Sequence, residues 1–148
     1  MTRRVFFSFH YQRDIWRVNQ VRNLPDIIGT SAAGFQDASL WEKAKKEGDA
    51  VVKRMIDNAL EGTSVTVVCV GNQTANRKYV DYEITKSLER GNGLVAIQIH
   101  HLKDQDGQVD LPGPIPVKIT MNGFKAYKYV NSDYLSQWIE EAARLAGR

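Results

Sequence analysis

The chain has 148 residues, of which 43% are hydrophobic and 25% charged. That is globular composition, long enough to bury a substantial core in one domain and unlike a disordered or collagenous chain. Twenty basic residues stand against 17 acidic ones, a formal net charge of +3, and the scattered Lys and Arg residues imply no nucleic-acid partner. Cys69 is the only cysteine, which excludes an intrachain disulfide or a cysteine-built metal site, and its apolar neighbourhood predicts a buried, inert thiol. No membrane partner is expected. The apolar stretch behind the basic residues 1–4 is only Val5, Phe6 and Phe7, too short for a signal core, and no apolar run approaches the roughly 18 residues of a membrane helix. A cytoplasmic protein is expected.

Strand-like and helix-like patterns alternate along the chain. Residues 5–9 form a β-branched and aromatic run short enough for a buried strand. Residues 12–23 place Ile15, Val18 and Val21 at helical spacing, with Pro25 as the stop. Residues 33–37 are a poor candidate for a second strand. Residues 44–60 follow as one long helix closed by Gly62, and residues 64–70 are the clearest strand, Val-rich and suited to burial on both faces. A helix over residues 76–90 puts Val80, Ile84 and Leu88 on one stripe and stops at Gly91. Residues 94–99 make another buried strand. Residues 100–124 lack periodicity and carry Pro112, Pro114 and Pro116, which predicts a long loop of the kind that is often functional. A last strand over residues 125–130 and a helix capped by Ser132 and running to about Ala146 complete the chain. Within that helix Leu135, Trp138, Ile139 and Ala142 face inward.

This alternation predicts an α/β fold, a flavodoxin-like three-layer sandwich whose five-stranded, mainly parallel sheet has the order 2-1-3-4-5 and helices on both faces. Ligands of such sheets bind outside the carboxyl ends of the strands, near the switch point between the first and third. Residues 8–11, 37–41 and 71–76 are expected there. The helix that follows carries Tyr79 and Glu83, four residues apart and therefore on one face. An aromatic ring beside a carboxylate suits a cationic, planar ligand.

The familiar tenants of this fold fail on their residues. A phosphoacceptor receiver needs acidic residues at the ends of strands one and three, where the chain has Ser8-Phe9-His10 and Gly71-Asn72-Gln73. A flavodoxin needs a Gly- and Thr-rich loop in place of His10-Tyr11-Gln12-Arg13. Gly91-Asn92-Gly93 lies between a helix and a strand, the wrong order for a dinucleotide fingerprint, and is read as a turn. No nucleophile elbow is present. His100 and His101, adjacent at a strand end, are expected on opposite faces and therefore unable to share a metal ion. No metal is expected. Trp16 and Trp138 are expected in the core or at an interface, and Glu61, Glu89 and Asp81 in solvent.

Val5-Phe6-Phe7-Ser8-Phe9, the segment from Ala32 to Glu42 containing Gly34-Phe35-Gln36-Asp37, Gly71-Asn72-Gln73-Thr74, and Arg77-Lys78-Tyr79-Val80-Asp81-Tyr82-Glu83-Ile84 together resemble the TIR-like domains of the Thoeris antiphage protein ThsB, within the wider TIR superfamily. The resemblance is strongest over residues 3–99 and implies a single TIR-like domain over residues 1–148. It implies an enzyme that cleaves NAD+ at the nicotinamide-ribose bond and makes an ADP-ribose-derived, cyclised nucleotide that activates a partner effector. Glu83 takes the place of the catalytic glutamate. Tyr79 falls where many NAD-cleaving TIR domains have Trp, while Phe9, His10, Trp41, Asp37 and Ser8 would complete the substrate site. NAD+ enters as substrate, with no tightly bound cofactor. The resemblance further implies a phage-derived trigger and assembly of protomers into a homo-oligomer. The competing expectation is a TIR-like module that recognises a protein or nucleotide without turning it over.

Overall fold

The computed structural model describes residues 2–148. Its five strands, β1 (Arg3–Ser8), β2 (Ile27–Thr30), β3 (Val65–Val70), β4 (Gly93–Gln98) and β5 (Lys125–Lys128), form one wholly parallel sheet in the order β2-β1-β3-β4-β5. This is the expected order. All six residues of β3 are buried, and their alternation divides two apolar layers: Val65, Val67 and Cys69 face one cluster, Val68 and Val70 the other. Each fully buried Val or Ile contributes about 1.5–3 kcal/mol relative to exposure. Burial also pushes the Cys69 thiol far up, as expected of an inert cysteine.

Six helices cover the sheet: α1 (Tyr11–Val18), α2 (Ser39–Glu47), α3 (Asp49–Leu60), α4 (Lys78–Glu89), α5 (Val117–Met121) and α6 (Ser132–Leu145). Leu135, Ile139 and Ala142 of α6 join Val95 and Ile97 of β4 in the first cluster, whereas Val80 and Ile84 of α4 join Leu94 and Ala96 in the second. Contact between α6 and β4 is close enough that a Cβ on Gly93 would collide with the Ala142 carbonyl, so only glycine fits there. Gly91, at φ 78°, ends the α4 segment as its sequence predicts.

Several boundaries differ from expectation. The second strand is Ile27–Thr30 rather than residues 33–37, because a short edge strand needs only one neighbour. Its Gly29 lies against the Phe7 ring, 3.0 Å from where a Cβ would sit. The long helix expected over residues 44–60 is two helices, starting earlier at Ser39 and broken at Gly48, whose φ of 126° no helix accommodates. α1 stops at Val18 and its apolar stripe continues through a turn to the buried Val21. Residues 117–121 fold into the short α5 with Ile119 buried, and Asn131, not Ser132, caps α6 by accepting from the Tyr134 amide at 3.0 Å.

His100 and His101 lie in the turn beyond β4, not on its strand register, so their rings meet edge to face 5.2 Å apart instead of pointing to opposite faces. Trp16 is half exposed, and Trp138 is partly buried through stacking on Tyr127 at 4.3 Å. Asp81, Glu61 and Glu89 are exposed as expected. Among the described residues no helix is long and apolar enough to cross a membrane.

The segment after β4 is fixed by a buried guanidinium. Arg17 of α1, 2% exposed, donates to the Leu102 carbonyl at 2.8 Å, the Gln108 carbonyl at 3.1 Å and Asp14 Oδ1 at 3.1 Å. Asp110 lies 3.4 Å from Arg17 and 2.9 Å from Arg13. A loop without periodicity is therefore held by one side chain with the donors to satisfy several of its carbonyls.

Candidate functional site

A cavity of about 230 Å³ opens at the carboxyl ends of the strands, lined by Phe9, His10, Tyr11 and Gln12 after β1, Trp41 and Lys45 of α2, and Arg77, Lys78, Tyr79, Val80 and Glu83 at the start of α4. Three separate stretches of chain meet there because β1 and β3 are neighbours at the point where strand order reverses. His10 caps α1, its Nδ1 accepting from the Arg13 amide at 3.4 Å. Burial, and then the charges of Arg77, Arg13 and Lys45, hold its imidazole below the ordinary range.

Glu83 forms the closed end of this site. It is 2% exposed, and its Oε1 accepts a 2.6 Å hydrogen bond from the Oγ of fully buried Ser8, the last residue of β1. Burial pushes the carboxyl up to about 8, and the Ser8 hydrogen bond works against that rise. At neutral pH the group is therefore mostly protonated, and a cation arriving beside it would favour its ionised form. A carboxyl so perturbed within a cavity is a functional-site candidate.

The wall opposite is aromatic. Trp41 stacks on Tyr11 at 4.7 Å with planes 17° apart and meets Tyr79 edge to face at 5.4 Å, while Phe9 continues the cluster 4.3 Å from Tyr11. Two of the rings are held by their hydroxyls. The Tyr11 hydroxyl donates to Ser31 Oγ at 2.8 Å and accepts from the Ala33 amide at 2.7 Å, and the Tyr79 hydroxyl donates to Asp49 Oδ1 at 2.8 Å. Phe9, Tyr11 and Trp41 are buried and Tyr79 is the most open of the four; an aromatic face open to the cavity attracts a planar cation by stacking and by its quadrupole, at about 1 kcal/mol.

The structure thus brings Phe9, His10, Trp41, Tyr79 and Glu83 to one cavity, with Ser8 reaching it through Glu83. Asp37 stands apart: it is exposed and outside the lining, and its Oδ1 accepts from the Ser39 amide at 2.8 Å and the Ser39 hydroxyl at 2.5 Å, ordering the entry to α2. Residues 71–76 do not line the cavity either, and Gly113 packs closely on the Gly71 and Asn72 carbonyls. Tyr11 lies in the segment expected at the mouth but was given no role, and Gln12, Lys45, Arg77, Lys78 and Val80 were not foreseen as site residues. Lys45 carried a signal, four residues after Trp41 on the same helical face. A larger cleft of about 990 Å³ lies at the amino ends of the strands. There Arg3 is committed to Glu140 at 2.8 Å, and the carboxyl-end rule for parallel sheets favours the smaller cavity.

Comparison with known proteins bears on this geometry. Residues 6–104 match the family described as "Thoeris protein ThsB, TIR-like domain", a stretch that contains every residue of the cavity. The chain is 52% identical over 118 residues to a Bacillus cereus (strain MSX-D12) protein named "Putative cyclic ADP-D-ribose synthase ThsB1", an alignment covering 78% of this chain and 62% of that protein. The chain therefore spans less than two thirds of that relative's length. With two thirds of its residues inside the matched region and the sheet order that its segments implied, the chain belongs to the ThsB family of TIR-like domains.

Proposed function

We propose that this protein is an enzyme that cleaves NAD+ between nicotinamide and ribose and releases an ADP-ribose-derived, cyclised nucleotide, which acts as a messenger to a partner effector in antiphage defence. The observation that carries the reading is the buried Glu83 carboxyl in a cavity walled by Trp41, Tyr11 and Tyr79. The name of the Bacillus cereus relative supports a cyclic ADP-ribose product.

The chemistry needs few groups. The C–N glycosidic bond breaks with its electron pair leaving on the pyridine nitrogen, so cationic nicotinamide departs neutral and needs no proton. Positive charge moves to the anomeric carbon and ring oxygen of the ribose. Ionised Glu83 stabilises that charge and accepts hydrogen bonds from the ribose hydroxyls, while the aromatic wall holds the pyridinium. Ser8 holds the carboxylate in place and favours its ionised form. Capture of the anomeric carbon by a nucleophile on the same ADP-ribose closes the ring, and capture by water gives free ADP-ribose.

The test is NAD+ incubation with wild type and Glu83→Gln, with and without infected-cell extract, followed by mass analysis of products. Loss of turnover by about 10²–10³-fold in the variant, with its fold intact, is expected. Equal turnover by the two proteins refutes the reading. Partner capture that survives the substitution, without NAD+ turnover by wild type, favours a binding module.

A further inference from the structure

The rim of the Glu83 cavity carries charge that bond cleavage does not use. Lys45, Arg77 and Lys78 all line it, and Glu83 is the single acidic residue among the lining side chains. The three cations are not equally free. Lys78 Nζ lies 2.8 Å from Asp49 Oδ1, outside the lining. Lys45 has only a 3.6 Å approach to Glu42 with both side chains partly solvated, a pairing of little strength. Arg77 has no carboxylate partner among the described residues; its Nε and one terminal nitrogen donate to the carbonyl and Oε1 of Gln73 at 3.0 and 2.8 Å. Its charge and that of Lys45 are both felt by His10 inside the cavity. His10 has its Nδ1 engaged by the Arg13 amide, which leaves the Nε2–H of the neutral ring as a donor.

Size adds a second constraint. At about 230 Å³ the cavity is smaller than the roughly 300–1,000 Å³ that encloses a drug-sized ligand. A dinucleotide can seat only one end inside, and its diphosphate must cross the rim.

We infer that Arg77 and Lys45, with His10 Nε2–H, form a diphosphate clamp at the mouth, which makes the site selective for a nucleotide over the uncharged or singly charged nucleoside. The guanidinium fork of Arg77, on α4, meets phosphate oxygens from one side. Lys45, on α2, supplies a mobile point charge from the other. This inference rests on the proposed NAD+ chemistry for its choice of substrate.

The experiment measures ADP and adenosine binding by calorimetry to wild type, Glu83→Gln, Arg77→Gln and Lys45→Gln, and compares turnover of NAD+ with that of nicotinamide riboside, which has the same scissile bond but no phosphate. The clamp predicts that wild type and Glu83→Gln both bind ADP. It also predicts that Arg77→Gln weakens ADP binding about tenfold or more, that added salt does the same to wild type, and that adenosine binding does not respond. Arg77→Gln should lower kcat/KM for NAD+ but not for nicotinamide riboside. ADP binding that equals adenosine binding, or that survives Arg77→Gln unchanged, overturns the clamp. A protein that binds ADP through Arg77 yet never consumes NAD+ keeps the clamp and refutes the cleavage reading. One that cleaves NAD+ and the riboside alike, indifferent to Arg77, does the reverse.

Discussion

Replacing Glu83 by glutamine should make the protein more stable, and increasingly so as pH rises. An ordinary glutamate releases its proton near 4.5, whereas the buried carboxyl holds it to about 8. Below 4.5 folded and unfolded chains are both protonated and the group contributes no pH dependence. Between those values the unfolded chain binds fewer protons than the folded one, so stability falls with rising pH at about 1.4 kcal/mol per pH unit. The whole window has a ceiling of about 5 kcal/mol. Water entering through the cavity mouth hydrates the ionised carboxylate and reduces this to a few kcal/mol. That is a large share of the roughly 5–15 kcal/mol available to a domain. Glutamine has nearly the same shape and no proton to lose.

The assay is urea unfolding of both proteins at several pH values between 4 and 9, with equal m-values confirming comparable unfolding. The quantity to plot is the variant's stability minus that of wild type, because Asp49, Asp104 and His10 titrate in both proteins and cancel. That difference should be flat below 4.5, climb to about 8 and level off. A difference that stays constant across the whole range would refute the claim that a proton is held at position 83 by burial.

The partner of this carboxyl and the buried guanidinium of α1 give further outcomes. Ser8→Ala removes the hydrogen bond that favours the charged form, so the Glu83 ionisation seen in the pH profile of kcat/KM should move to higher pH by about one unit. An unshifted profile would dissociate Ser8 from the carboxyl's titration. Arg17→Ala leaves Asp14 buried without its cation and strips donors from the Leu102 and Gln108 carbonyls. A loss of about 3–5 kcal/mol in denaturant unfolding is expected, together with faster amide exchange across residues 102–110. A loss below about 1 kcal/mol would show that the loop is held by other means.

The strands that dominate the sheet were plain in the sequence because β1, β3 and β4 are apolar runs buried on both sides, a pattern that few other arrangements satisfy. β2 was misplaced because its four residues carry little apolar signal and include Gly29. Gly48 is a single residue, and the helical spacing on either side of it masked the break in φ that separates α2 from α3. Within the site, Tyr79 and Glu83 could be paired from helical spacing alone. The pairing of Glu83 with Ser8 spans 75 residues: the expected strand order already brought both to the mouth, but spacing along the chain carries no sign of the hydrogen bond between them. Asp37 looked like a site residue because it shares a segment with Trp41. Three-dimensional placement separates them: the Ser39 amide and hydroxyl turn Asp37 toward solvent, and Trp41 turns inward onto Tyr11.

Every side chain lining the cavity comes from residues 9–83, although α6 and β5 complete the sheet's cover beyond them. The last third of the chain thus meets this cavity only through the packing that holds its walls. Related domains could exchange that portion as a block, as long as the replacement keeps a loop whose carbonyls and carboxylate meet Arg17, a helix that can settle against Gly93 and an outer strand that can pair with β4.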